Sequence, residues 1–171
     1  MAGDLLLGTS AIEKGFDTSH FDCGVPSLNE YLQKFALQNH ANRSARTFVA
    51  LRGSKVVGYY SVAMAAAERE ATPERVAKGL ARHPVPLALI ARLAVDKAEK
   101  GQGLGKALLK DACARVLRAA EELGCRAVVV HAKDDQAKAF YENCGFIPSP
   151  TNPRHLYALV KDLEAATPGK R

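Results

Sequence analysis

Nowhere does this sequence hold the ~18 consecutive apolar residues that a membrane-spanning helix needs, and none of its four cysteines stands in a C-x-x-C pair or beside a set of histidines. The first absence excludes a spanning helix. The second favours reduced, packed thiols at Cys23, Cys113, Cys125 and Cys144 over metal ligands or a disulfide frame, and no metal is expected. No base stands beside any of them in sequence to make a nucleophile. Internal repeats and long low-complexity segments are missing too. The opening MAGDLLLG lacks the basic start and cleavage site of a signal peptide, so a soluble cytoplasmic protein is expected.

A long run of one charge is also missing, although the net charge is +6, from 24 basic and 18 acidic residues. Such a balance suits an anionic cofactor or an anionic macromolecule such as RNA. Arg43, Arg46, Arg69, Arg75, Lys78, Arg82 and Arg92 would form a basic surface only if folding gathers them. With 171 residues and 47% hydrophobic content, the chain can bury one good core. A single domain over residues 1–164 is expected, with 165–171 as a loose tail.

What the sequence does contain is concentrated between Leu87 and Leu123. The run Leu87 to Val95 is almost continuously apolar, as in a strand covered on both faces, with Arg92 its one charge. Lys100-Gly101-Gln102-Gly103-Leu104-Gly105-Lys106 follows, a segment with few side chains to keep an anion from its backbone N–H groups. Leu104, Leu108, Ala112, Val116, Ala119 and Leu123 then recur at the spacing of an amphipathic helix, with Cys113 one position off the stripe. A pyrophosphate suits the N-terminus of that helix. A dinucleotide fingerprint fails because its third small residue would fall on Lys106 or Leu108. A P-loop fails because Lys100 and Ala107 stand where Gly and Ser/Thr are required.

Around this unit the sequence predicts a strand candidate at Leu5–Leu7 and a loop to Phe21. A helix follows, with Ser27 and Glu30 as a capping box and Leu28, Tyr31, Leu32 and Phe35 as its apolar face. Strands over 47–51 and 56–64 would be joined by a type II′ hairpin at Gly53-Ser54. Thr72 and Pro73 would start a short helix, Pro73 taking its first position. Ala127–His131 reads as a buried strand. Asp134 to Cys144 reads as a helix with acids in its first turn and Gly145 as C-cap, ahead of a last strand near 156–160. Antiparallel strands first and a βαβ unit later describe an α+β sheet of about six strands.

The spacing [QRK]-x-x-G-x-G at 100–105 resembles the coenzyme A loop of the GNAT N-acetyltransferases. The segment AVVVHAKDDQAKAFYENCGF, 127–146, resembles the last strand-helix part of their acetyl-CoA site, with its A-x-x-F-Y-x-x-x-G-F signature. Phe21 to Leu32, Ala36, Gln38-Asn39, Arg46 to Val49 and Ala91 to Asp96 resemble the GNAT toxins of bacterial toxin–antitoxin pairs. This resemblance extends from about Leu5 to Leu163. It implies the GNAT fold and acetyl transfer from acetyl-CoA to the α-amino group of aminoacyl-tRNA, which stops translation. It further implies a ribbon-helix-helix antitoxin and a homodimer. A GNAT enzyme acting on a protein N-terminus, lysine or small amine is the alternative, and a non-catalytic acetyl-CoA-binding module a third.

By the same resemblance, Leu93, Ala94 and Val95 would bond the pantetheine arm through their main chain. Lys100, Gly101, Gln102, Gly103, Gly105 and Lys106 would hold the pyrophosphate. Lys100 takes a place where the family often has Gln or Arg, and it keeps the charge of an arginine but not its planar fork. Tyr141 is the candidate acid, since a phenol is protonated at neutral pH and can donate to a departing thiolate. Arg92 either contacts the 3′ end of tRNA or forms a structural ion pair. No carboxylate stands out as general base: Asp96 and Glu99 read as solvated turn acids, and Asp134 and Asp135 as helix N-terminal charges. His131 reads as a packed or water-bonded imidazole.

Overall fold

The computed structural model describes residues 8–81 and 83–167, so the strand candidate at Leu5–Leu7, the arginine at 82 and the end of the expected tail lie outside the described residues. Seven strands form a mixed sheet in the order β1-β2-β3-β4-β5-β7-β6. They are β1 (Thr9–Ala11), β2 (Arg46–Arg52), β3 (Lys55–Ala67), β4 (Val85–Val95), β5 (Ala127–His131), β6 (Ile147–Pro148) and β7 (His155–Leu159). The β4–β5 pair is parallel, and β1–β2, β2–β3, β5–β7 and β6–β7 are antiparallel. Two of these strands are not among those expected: β1 lies within the expected loop to Phe21, and β6, like β1, is too short to carry a periodic signal. Helices α1 (Pro26–Glu30), α2 (Ala36–Asn42), α3 (Glu74–Ala77), α4 (Leu104–Ala119), α5 (Asp135–Asn143) and α6 (Val160–Ala165) complete the α+β fold. None of the helices among the described residues is long and apolar enough to cross a membrane.

The chain divides into two compact units, Met1–Ala63 with Ala91–Ala112, and Met64–Ile90 with Cys113–Arg171. In the first, Ile12, Phe21, Cys23, Tyr31, Leu32, Ala36, Val49, Val56, Tyr59 and Ala94 form the core. Arg52 and Lys55 pair across Gly53-Ser54, and Gly53 takes φ 59° while Ser54 does not go positive, as the type II′ hairpin requires. The register of β2 on β3 slips between Ala50 and Leu51, which oppose Gly58 and Val56, so Val57 is the extra residue of a bulge. Its carbonyl accepts instead from Asp96 N–H at 2.9 Å. Gly58 is buried beside the first turns of α4. A Cβ there would lie 3.0 Å from Leu108 Cδ1, 3.3 Å from Leu104 Cδ2 and 3.4 Å from the Ala94 carbonyl.

Two expectations for the first unit are corrected by its helices. Pro26, with its fixed φ and no N–H, takes the first helical position, so Val25 becomes the N-cap and Ser27 lies inside the helix. The capping box with Glu30 is therefore not formed, and the first turn closes on the Val25 carbonyl, 3.0 Å from Leu28 N and 3.2 Å from Asn29 N. Between α1 and α2, residues Tyr31–Phe35 form a π-helical turn in which Ala36 N–H bonds the Tyr31 carbonyl. The extra residue turns Phe35 out, 48% exposed, and puts the fully buried Ala36 on the inner face.

In the second unit, Val76, Val85, Leu87, Ala127, Val129, Tyr157 and Leu159 form the core. Strand β5 has the expected bounds and is buried on both faces up to His131. Asp134 caps α5, its carboxylate accepting from Ala137 N at 2.7 Å, and Gly145 follows with φ 94°. Pro73, with ψ 145°, is the N-cap of α3 and not its first residue, since its extended ψ keeps it out of the helix, and its carbonyl accepts from Val76 N at 2.9 Å and Ala77 N at 3.3 Å. Helix α4 stops at Ala119, so that residue is exposed and Leu123 lies beyond the helix, 58% exposed; Leu109, Cys113 and Leu117 are buried in their place. The four cysteines are free thiols, and burial pushes the Cys113 thiol up to about 12. Ala165, where a loose tail was expected to begin, closes α6.

Gly58→Val should destabilise the protein by ~1–3 kcal/mol, since a branched side chain has to displace Leu108 or the Ala94 backbone. Thermal unfolding measures this, and a variant with an unchanged midpoint would show that α4 can move off β3 without cost.

Candidate active site

The end of β4, the turn after it and the start of α4 all belong to the first unit, so its geometry stands on its own. Leu93 and Val95 are half-buried and Ala94 is 5% exposed. Gly101 and Gly103 sit at φ 82° and 80°, a conformation that an L side chain adopts only under strain. A Cβ at either would meet nothing within 4 Å, so what demands glycine is the backbone angle, not a crowded neighbour. Gly101, Gln102, Gly103 and Lys106 are exposed, and Gly105 lies in the first turn of α4. The first helical bond is donated by Ala107 to the Gly103 carbonyl at 3.0 Å, which leaves the N–H groups of Leu104, Gly105 and Lys106 without intrahelical partners. This is a surface of free donors at a positive helix end, bare of side chains, and a phosphate or pyrophosphate fits it.

The turn that presents the loop is braced by two acids expected to be solvated. Asp96 is 7% exposed and Glu99 8% exposed. One Asp96 oxygen accepts from Ala98 N at 2.9 Å and the other from Asp22 N at 3.1 Å, while the Asp22 carbonyl accepts from Lys97 N at 2.8 Å. Glu99 accepts a hydrogen bond from Arg52 Nε. Both carboxylates are consumed as acceptors, so burial here follows from pairing. Asp22 takes further bonds from Gly24 N (2.9 Å) and Asn29 Nδ2 (3.1 Å), and Lys97 Nζ lies 2.9 Å from its other oxygen. These donors, Lys97 foremost, hold its pKa down to about 2. Lys100, expected at the pyrophosphate, donates from Nζ to the Cys23 carbonyl at 3.0 Å, and so ties the loop to the segment before α1. Sequence reading missed this brace because its partners are 47 to 77 residues apart, and only the acids themselves hinted at it.

Arg92 lacks the structural ion pair weighed for it. Its guanidinium lies 3.7 Å above the centroid of the Tyr31 ring, and no carboxylate pairs with it among the described residues. Of the other basic residues, Arg46 donates to the His40 carbonyl at 2.8 Å, Arg75 is paired with Asp162, and Arg69 bonds the Leu80 carbonyl. Arg43 and Lys78 are exposed. Arg69 and Lys78 line a cavity of about 650 Å³ together with Glu70 and Glu74, so its wall carries both signs of charge.

Tyr141 belongs to the second unit. Its ring is 8% exposed between Phe140 and Phe146, with centroids 5.2 and 5.8 Å away. Its hydroxyl has no hydrogen-bond partner among the described residues, yet no buried side-chain oxygen there is left unsatisfied, so the oxygen reaches the surface. Burial of the ring, then Cys144, raises its pKa to about 12. His131 is exposed at the end of β5 and stacks on His155 at 3.8 Å, and partial desolvation, then that neighbour, lowers its pKa. Among the described residues no group of three or more His, Cys, Asp or Glu side chains could hold a metal ion.

Comparison with known proteins bears on this geometry. A curated relative, the "tRNA-acetylating toxin" of Mycobacterium tuberculosis (strain ATCC 25618 / H37Rv), is 46% identical over 149 residues, 87% of this chain and 89% of that protein. The solved structure of AtaT complexed with acetyl-methionyl-tRNAfMet superposes with a TM-score of 0.86 at 29% identity, covering 92% of this chain and 96% of that one. A tyrosine-to-phenylalanine mutant of the toxin AtaT, bound to the C-terminus of the antitoxin AtaR and to acetyl-CoA, gives 0.80 at 28%, covering 92% and 95%. The acetyltransferase (GNAT) domain matches residues 43–148, which include β4, the glycine loop, α4 and α5, and this chain therefore belongs to the GNAT acetyltransferase family.

Proposed function

We propose that this chain is an acetyl-CoA-dependent N-acetyltransferase toxin that acetylates the α-amino group of aminoacyl-tRNA and thereby blocks translation. The observation that carries this reading is the 46% identity with a tRNA-acetylating toxin over 87% of the chain. The free donors at the start of α4 support it by suiting a pyrophosphate. A ribbon-helix-helix antitoxin, a homodimer and a cytoplasmic location belong to the same reading, as does the action of residues 1–164 as one domain with a C-terminal tail. An antitoxin partner is supported by the AtaT structure that holds the C-terminus of AtaR.

In this reading Gly101, Gln102, Gly103, Gly105 and Lys106 take the pyrophosphate of acetyl-CoA, while Lys100 holds the loop to the Cys23 carbonyl. The main chain at Leu93, Ala94 and Val95 lies along the pantetheine arm and polarises the thioester carbonyl. The neutral amine attacks that carbon, a C–N bond forms and the C–S bond breaks. The proton lost by nitrogen balances the one gained by the thiol. Tyr141, kept protonated by burial, donates a hydrogen bond to the departing sulfur. No carboxylate base is needed, because an α-amine has a pKa of about 7.7–8 and its ester less, so a useful fraction is neutral at pH 7.

At Gly103, aspartate and asparagine tolerate the left-handed angle equally, but only aspartate adds a negative charge at the anion site. Gly103→Asp should weaken acetyl-CoA binding by ~10-fold or more relative to Gly103→Asn. Calorimetry on the two folded variants measures the difference, and equal affinities would remove the loop from the cofactor site.

Tyr141→Phe should cut turnover by ~10²-fold with acetyl-CoA affinity nearly kept. In the wild type, a tyrosine raised to about 12 stays protonated throughout the working range. The pH–rate profile should therefore rise through the substrate amine's pKa and show no alkaline limb below pH ~11. A descending limb near pH 9 in initial rates, corrected for alkaline hydrolysis of the aminoacyl ester, would assign the acid to another group.

Purified protein with radiolabelled acetyl-CoA should label charged but not uncharged tRNA, and the label should leave with the amino acid on mild alkaline hydrolysis. Label on protein N-termini, lysines or polyamines, with charged tRNA untouched, would leave an ordinary GNAT acetyltransferase instead.

A further inference from the structure

Arg92 combines features that a structural arginine does not share. It is half-buried, its guanidinium carbon lies 3.7 Å from the centroid of the Tyr31 ring, and no acceptor among the described residues takes a hydrogen bond from it. The donors of the planar fork are thus not taken up by a protein acceptor, while contact with the ring restrains the guanidinium. Tyr31 is itself fixed. It is 5% exposed, lies nearly parallel to Tyr59 with centroids 6.4 Å apart, and its hydroxyl accepts from Asn39 Nδ2 at 3.3 Å. It also opens the π-helical turn, a local departure from α-helix that costs regular hydrogen bonding and recurs at functional sites.

Resting on the reading of charged tRNA as substrate, we propose that Arg92 binds a phosphodiester near the 3′ end of the aminoacyl-tRNA through two parallel N–H···O bonds, and that Tyr31 is the positioning residue that restrains the guanidinium for it. A restrained fork loses less freedom when it closes on two phosphate oxygens than one on an unrestrained side chain does. Lysine at the same position keeps the charge but neither the stack nor the second bond. The edge of the tyrosine matters less than its face, so phenylalanine suffices at position 31.

The measurement is steady-state transfer to charged tRNA at several salt concentrations, with thermal unfolding as a check on folding. Arg92→Lys should raise KM for charged tRNA ~10-fold, with KM for acetyl-CoA within about twofold of wild type and an unchanged slope of log(kcat/KM) against log[salt]. Arg92→Gln should raise it further and shrink that slope by about 0.7–0.9, the loss of one phosphate contact. Tyr31→Leu, judged on its folded fraction, should mimic Arg92→Lys, and Tyr31→Phe should restore wild-type KM. Wild-type KM in Arg92→Lys, or a salt slope that Arg92→Gln leaves untouched, would overturn the phosphate assignment. Tyr31→Leu with wild-type KM would overturn the positioning role. Absence of labelled tRNA with the wild-type enzyme would instead sink the substrate reading itself.

Discussion

Asp96 stands where β4 ends and the glycine loop begins, and its carboxylate can be buried only because both oxygens are taken, by the N–H groups of Ala98 and Asp22. Each bond fixes a different piece of chain. The first shapes the turn that leads into the loop, and the second ties that turn to the segment preceding α1. Asp96 N–H adds a third constraint by bonding the carbonyl of Val57, the extra residue in the β2–β3 bulge. An uncompensated carboxylate at this depth would be costly, so the three segments are held together by one satisfied group. The loop's own backbone makes few internal bonds, and it is the brace around Asp96, Glu99 and Lys100 that gives its N–H groups a defined direction.

The same first unit shows how a charge can be left available without being loose. Arg52 is neutralised by Glu99 and Lys97 by Asp22, whereas Arg92 is steadied by an aromatic face that consumes none of its donors. Cation–π contact restrains position but does not satisfy hydrogen bonds, which is the property a binding arginine requires. Tyr141 in the second unit follows a related logic. Its ring is buried and its pKa is raised, so the hydroxyl remains a donor at any pH at which the protein would work.

Much of this was legible in the order of residues. Apolar continuity located β4 and β5, glycine spacing located the loop before α4, and acids with a terminal glycine located α5, because each signal is local and acts over a few bonds. The errors share a different cause. Phe35 has the right spacing for an α-helical face, but a π-turn inserts a residue and Ala36 takes its place. Ser27 and Glu30 have the spacing of a capping box, but Pro26 starts the helix one residue too early for it. Asp96 and Glu99 look like turn acids, because nothing within ten residues reveals that Asp22 and Arg52 will reach them.

By itself, then, the sequence determined the strand-loop-helix that bears the free N–H groups, the left-handed glycines within it and the signature tyrosine, since backbone angles and hydrophobic periodicity are set by near neighbours. Only the tertiary structure decided which charges are spent and which remain. Pairing of Asp96, Glu99 and Lys100, and the stacking of Arg92 on Tyr31, depend on side chains separated by 47 to 77 residues, brought within bonding distance by the folding of the strands and helices that carry them.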